Sequence, residues 1–197
     1  MDTDFFPPSV LAMSIITGRG DQGQTDLMFG KRIEKTSMRV EVLGTIDELN
    51  AALGLARAAG LEQEVEEIVD RVQDMLVGLM GQLACQPGDE ERYAAAGYQS
   101  LLVEDQVWVE KTAKAFEKRG VTFKGWARPG VEHSIGRAGL DVARTVARRS
   151  ERAVLQLHEI LLLKEDGSEV PEHIRLFFNR LSDLLWILAR VNAETPR

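Results

Sequence analysis

The sequence predicts an all-α protein, a five-helix bundle behind a short irregular N-terminal segment. Three observations carry that expectation. After residue 38 apolar residues recur at spacings of three and four through most of the chain. Turn-forming residues, at Gly60, Pro87-Gly88, Gly120 and Asp166-Gly167-Ser168, punctuate those stretches. Almost no stretch alternates with the period of a strand. At 197 residues the chain has the size of one domain with a full core. We divide it into an N-terminal Gly-rich segment (1–38) and the bundle (39–197).

The elements follow in order. Residues 1–38 open with Pro7 and Pro8, carry a short strand candidate from Met13 to Thr17, and continue into a Gly-rich stretch. In VEVLGTIDELNAALGLARA, Val42, Ile46, Leu49, Leu53 and Ala56 define an apolar face, and Thr45 is placed as a cap. EQEVEEIVDRVQDMLVGLMGQLA repeats the pattern with Val65, Ile68, Val72, Leu76 and Leu79. Residues 102–119 form the third helix, and 121–134, with Gly125, Pro129 and Gly130, connect it to a long fourth from about Ile135 to Leu163. The fifth starts near Pro171, a residue suited to a first helical turn, and carries LFFNRLSDLLWILARV.

Composition narrows the function. The charge is −7, with 31 acidic against 24 basic residues, which argues against a broad nucleic-acid footprint. Cys85 is the single cysteine, so there is neither an intrachain disulfide nor a multi-cysteine metal site, and beside Leu83 and Ala84 it reads as a small buried hydrophobe. No apolar run reaches the ~18 residues of a membrane span. The opening MDTDFFPPSV has aspartates where a signal peptide carries positive charge, so a cytoplasmic protein is expected.

Two motifs carry chemistry. TGRGDQGQT (17–25) satisfies G-x-G-x-x-G through Gly18, Gly20 and Gly23, and nearly satisfies the P-loop, with Gln24 in place of the lysine. Both patterns have physical meaning only between a strand and a helix. The following DLMFGKRIEK is not amphipathic, so neither fold assignment holds. What survives is a glycine-bearing backbone able to converge N–H groups on an anion, with Lys31, Arg32 and Lys35 close behind. The bland reading is a solvated surface loop.

The second motif is VARTVARRSERAV (142–154), with Arg144, Arg148, Arg149 and Arg152 inside nine residues of an acidic chain. Arg144, Arg148 and Arg152 lie along one side of the fourth helix, drifting roughly 40° per step. Val142, Val146, Ser150, Ala153, Val154 and Leu157 are assigned to the opposite, core side. Like charges at i, i+4 repel, and arginine rather than lysine suits bidentate pairing with carboxylate or phosphate. On the fifth helix Asn179, Asp183 and Arg190 form a second polar stripe beside the apolar Phe177, Leu181, Leu184 and Leu188. Asp47 and Glu48 add carboxylates to the first helix.

Taken in order, TGRGDQGQTDLMFGKRIEK, VEVLGTIDELNAALGLA, VARTVARRSERAV and FFNRLSDLLWILAR resemble the PduO-type ATP:cob(I)alamin adenosyltransferases. The blocks run from residue 17 to 190. The resemblance implies a five-helix bundle assembled as a homotrimer, with ATP and magnesium enclosed between the Gly-rich loop of one subunit and the arginine helix of the next. It implies transfer of the 5′-deoxyadenosyl group to cobalt(I) of a reduced corrinoid, giving adenosylcobalamin and triphosphate. By match of position, Thr17, Gly18, Gly20, Asp21, Gly23, Thr25, Lys31 and Lys35 become ATP-binding, joined by Arg148, Arg149 and Asn179, while Arg148, Glu151 and Asn179 carry the catalytic roles. Asp47 and Arg144 become a pair across the subunit interface. A flavin-type reductase or a B12-dependent enzyme accepting the product are the implied partners, with no nucleic acid and no membrane. Relatives carry F-[IV]-L-P-G-G before the arginine helix; here WARPGVEH puts Trp126 in the aromatic place by the corrinoid, and Asp141 stands where a histidine is common. That departure motivates the alternative of a noncatalytic sensor or carrier of ATP or corrinoid.

Overall fold

The structure, a computed structural model, describes residues 16–122, 125–131, 133–164 and 168–191. Two short strands, β1 (Gln24–Asp26) and β2 (Arg32–Glu34), precede six helices. These are α1 (Met38–Ala58), α2 (Gln63–Leu83), α3 (Glu90–Ala95), α4 (Val103–Lys118), α5 (Ile135–Leu162) and α6 (Glu172–Leu188). The five expected helices are α1, α2, α4, α5 and α6. Most of the Met13–Thr17 strand candidate, and Asp166-Gly167, lie outside the described residues.

Local chemistry sets the helix ends. Ser37, not Thr45, caps α1: its side chain accepts from the N–H of Val40 at 3.4 Å. Thr45 is buried mid-helix and donates its hydroxyl to the Val42 carbonyl at 3.0 Å. Its side chain satisfies itself on the preceding turn, so no cap is available from it. Ser134 caps α5 by accepting from the N–H of Arg137 at 3.3 Å. Pro171 stands just before α6, where its missing N–H costs nothing.

The expected apolar faces of α1, α2 and α6 are buried in one core. On α5, Val146, Ser150, Ala153, Val154 and Leu157 face inward as expected, whereas Val142 is 52% exposed. It falls on the outward side with Thr145, Arg149 and Arg152, three, seven and ten residues on. α1 and α5 pack most extensively, followed by α5 with α6 and α4 with α6. The α1–α5 pair is antiparallel: Gly139 lies against Ala56, and Ser150 Oγ donates to the Thr45 carbonyl at 3.0 Å. Among the described residues no helix is long and apolar enough to cross a membrane.

Two elements were not expected. The β1–β2 hairpin pairs Gln24 with Glu34, Thr25 with Ile33 and Asp26 with Arg32. Its turn docks on the end of α2 through Met28 N–H to the Ala84 carbonyl at 3.1 Å, with Arg92 of α3 over the Phe29 ring. α3 is a six-residue helix anchored by Tyr93, whose hydroxyl donates to the Gln99 carbonyl at 2.7 Å.

Candidate functional site

The Gly-rich loop is a pair of tight turns set on the hairpin. Asp21 N–H donates to the Gly18 carbonyl and Gly23 N–H to the Gly20 carbonyl, both at 3.2 Å. Gly18 and Gly23 take positive φ (+66° and +82°), which a side chain would strain. Lys35 N–H closes the loop onto the Gly23 carbonyl at 2.8 Å, while Thr17 Oγ1 accepts from Arg19 N–H at 3.4 Å. Arg32 pins the outer side, donating to the Arg19 carbonyl at 2.8 Å and pairing with Asp26 at 3.2 Å. Gln24, at the P-loop lysine position, donates to Glu34 across the strands at 2.7 Å. A strand rather than a helix follows the loop, as the rejection of both nucleotide motifs requires.

The two lysines part company. Lys35 stands over Gly20, so close that a Cβ there would lie 2.7 Å from its Nζ. Lys31 sits at the other end of the hairpin, paired with Asp89 at 2.6 Å. The structure therefore brings Lys35, and not Lys31, to the loop. Since the obstacle at Gly20 is the mobile end of a lysine, Gly20→Ala is expected to fold normally while moving the ammonium aside. The expected outcome is an unchanged melting curve with affinity for a polyphosphate anion lowered about tenfold, the loss of one charged contact; calorimetric titration reads it.

On α5, Arg148, Arg149 and Arg152 are exposed and Arg144 is half-buried. Arg149 forms an ion pair with Glu48 of α1. Arg148 and Arg152 make no ion pair among the described residues. Beside them Asn179 donates to Glu151 at 3.0 Å and its carbonyl oxygen accepts from Arg180, so the amide is held from both sides. Asp183, one turn on, has its carboxyl pushed up by partial loss of water, against the opposing pull of Arg180 and Arg148. Arg144, Arg148, Glu151 and Asn179 thus share one polar surface across α5 and α6. Cys85 is buried and its thiol is pushed up by that burial, so it remains a packing residue.

A second surface is apolar. Trp126 is 92% exposed, with Val131, Ile135 and Val142 also exposed along the entry to α5. Ile135 and Val142, seven residues apart, share one side of α5.

Among the described residues no hydrogen bond or ion pair joins the loop to the arginines of α5. Ser150 is level with Thr45, and Ser37 lies eight residues earlier on α1, about 12 Å further along the axis at 1.5 Å per residue. The loop starts beyond that point, and its hairpin leans toward α2 and α3. Asp47 is exposed on α1 with no hydrogen-bond or ion-pair partner among the described residues.

The described residues thus present two exposed arginines without an ion pair, Arg148 and Arg152, a glycine loop with Lys35 over Gly20, and the exposed apolar side chains Trp126, Val131, Ile135 and Val142. The model of the cobalamin adenosyltransferase family matches residues 15–192, and the chain belongs to that family. It is 34% identical to the corrinoid adenosyltransferase PduO of Citrobacter freundii, over 90% of this chain and 49% of that one. It is 32% identical to another corrinoid adenosyltransferase of the same organism, over 92% and 96%. The chain therefore spans about half the length of the first relative and nearly all of the second. Among solved structures it resembles a variant PduO-type ATP:corrinoid adenosyltransferase from Lactobacillus reuteri complexed with cobalamin and ATP. The TM-score is 0.74 at 28% identity, covering 90% of this chain and 92% of that one.

Proposed function

We propose that the chain transfers the 5′-deoxyadenosyl group of ATP to cobalt(I) of a reduced corrinoid, at sites formed between copies of a cytoplasmic homotrimer. The observation that carries this is Arg148, exposed on the turn of α5 before Glu151, which pairs with Asn179, and without an ion pair among the described residues. A neighbouring copy would bring its loop, with Gly18, Gly20, Asp21, Gly23, Thr25 and Lys35, over the arginines. In that arrangement the cobalt electron pair forms the bond to C5′ of the ribose, the C5′–O bond breaks, and triphosphate leaves with the electron pair of that broken bond. Arg148 and Lys35 meet the charge gathering on the leaving group, an interaction strongest in the transition state. Glu151 fixes Asn179 so that its amide is already oriented when the nucleotide arrives. Magnesium would enter on the phosphates of ATP, one or two carboxylates at most being needed beside them. The exposed face at Trp126, Val131, Ile135 and Val142 is the surface for the corrin ring, which also keeps water from cobalt.

The test is incubation with ATP, magnesium and chemically reduced cobalamin under anaerobic conditions. A light-sensitive alkylcobalt spectrum supports the reading. ATP binding without that product supports the sensor alternative, which the WARPGVEH segment and its solvent-facing indole favour. Assembly is tested separately. Asp47→Ala is expected to weaken the trimer about tenfold or more, the loss of one charge-assisted contact; light scattering across a dilution series measures it.

A further inference from the structure

Behind the arginine surface lies a buried ion pair, Asp141 with Arg190, that no role above uses. Asp141, on α5, is 5% exposed. Arg190, just past the end of α6, grips it with both terminal nitrogens, Nη1 to Oδ1 and Nη2 to Oδ2, each at 3.2 Å. Arg190 is itself held: its guanidinium stacks 4.3 Å over the Trp186 ring, and Nη1 donates to the Trp186 carbonyl at 2.8 Å. On the other side, Arg144 donates Nε to Asp141 Oδ1 at 3.0 Å.

We propose that Asp141 is a positioning residue: locked by Arg190, it fixes Arg144 so that its two terminal amino groups stand outward as a receptor for a carboxylate of a second copy. The inference rests on the two-chain site proposed above. A guanidinium offers five N–H groups in a rigid fork, and Asp141 engages only the Nε edge of Arg144. Among the described residues nothing accepts from its terminal nitrogens. Exposure is graded outward, with side-chain values of 7% for Asp141, 14% for Arg190 and 22% for Arg144. One carboxylate between two guanidiniums leaves a net positive charge at the outer member. Such a cluster is completed by one more anion, and the bidentate edge left open matches a carboxylate. Asp47, exposed on α1 with no partner among the described residues, offers that chemistry on a neighbouring copy, in line with the cross-subunit pair that the family resemblance implies. Without Asp141 the Arg144 side chain has several rotamers to lose on assembly; with it, that ordering is already done.

The test compares wild type with Asp141→Asn, Arg144→Met and the double variant, by sedimentation equilibrium without substrate and by steady-state kinetics. The expected result for Asp141→Asn is unchanged helicity, trimer dissociation raised about tenfold, a lower kcat at saturating corrinoid and an unaltered KM for ATP. The double variant should be no worse than Arg144→Met, because both changes remove one interaction. A lower Tm with wild-type assembly and kinetics makes Asp141 purely structural and overturns the proposal, as do additive losses. If Asp141→Asn fails to fold, Arg144→Lys decides: its one ammonium cannot be gripped inside and reach outward together, so wild-type assembly overturns the proposal and tenfold weakening supports it. A monomeric wild type sinks the two-chain reading and this inference together. A trimeric wild type with indifferent variants sinks the inference alone.

Discussion

Arg148→Ala is expected to lower kcat/KM for ATP by roughly 10- to 100-fold while leaving the melting temperature within a degree or two. The magnitude follows from one charge-assisted hydrogen bond to a phosphate oxygen, about 1.5–3 kcal/mol. The untouched stability follows from the monomer's geometry: Arg148 is exposed and makes no ion pair among the described residues, so its removal uncovers nothing. How the loss divides is informative. If Arg148 holds ATP equally in ground and transition states, KM rises and kcat stays. If it meets charge that grows as triphosphate departs, kcat falls as much as kcat/KM. The second is expected, because the phosphate charge increases as the C5′–O bond opens. Arg148→Lys should recover part of the loss, keeping the charge without the fork. Arg149→Ala is a different experiment, since it also releases Glu48 on α1. Unchanged kinetics for Arg148→Ala would remove the arginine surface from the reaction.

The fold was legible where periodicity had room to show itself. α1, α2, α5 and α6 are long enough for an apolar stripe to repeat several times, and their inward residues were named correctly apart from Val142. That valine is a boundary case: its neighbour Ala143 takes the inward position instead, and hydrophobicity alone does not separate them. The β1–β2 hairpin and α3 were illegible because three- and six-residue elements contain no full repeat. Both are held by tertiary contacts, Met28 on Ala84 and Tyr93 on Gln99, that no local pattern encodes.

The site was legible in part for a related reason. Arginine without lysine on one side of a helix signals an anion, and the glycines at 18 and 23 sit where positive φ demands them. Spacing could not separate Lys31 from Lys35, because a three-residue strand and a turn carry one lysine to Asp89 and leave the other at the loop. The Asp141–Arg190 pair spans 49 residues, and only the packing of α5 on α6 reveals it. Asp141, three positions before Arg144, reads in sequence as a lone departure; in the fold it joins Arg144 to Arg190.

Gly139→Val and Gly54→Ala should move stability in opposite directions, although both add carbon to a helical glycine. A Cβ at Gly139 would lie 2.9 Å from both Cα and Cβ of Ala56 on α1. The obstacle is backbone, which cannot swing aside, so α1 and α5 must separate. Overpacking of this kind costs about 3 kcal/mol, a Tm fall of roughly 6–12 °C for a chain of this size. At Gly54 the nearest atom is the far end of Gln73, at 3.6 Å, an ordinary contact. There the helix-propensity gain of about 0.8–1 kcal/mol is collected in full, and Tm rises by roughly 2–4 °C. Thermal melts of the two variants read both signs. The Gly139 change reaches the site as well. The Ser150–Thr45 hydrogen bond and the Arg149–Glu48 pair both cross the α1–α5 seam. Forcing that seam apart moves α5 relative to the helix that carries Asp47, and with it every arginine the proposed site requires. A folded Gly139→Val chain should therefore also weaken the proposed trimer, whereas Gly54→Ala, on the α2 side of α1, should leave it intact.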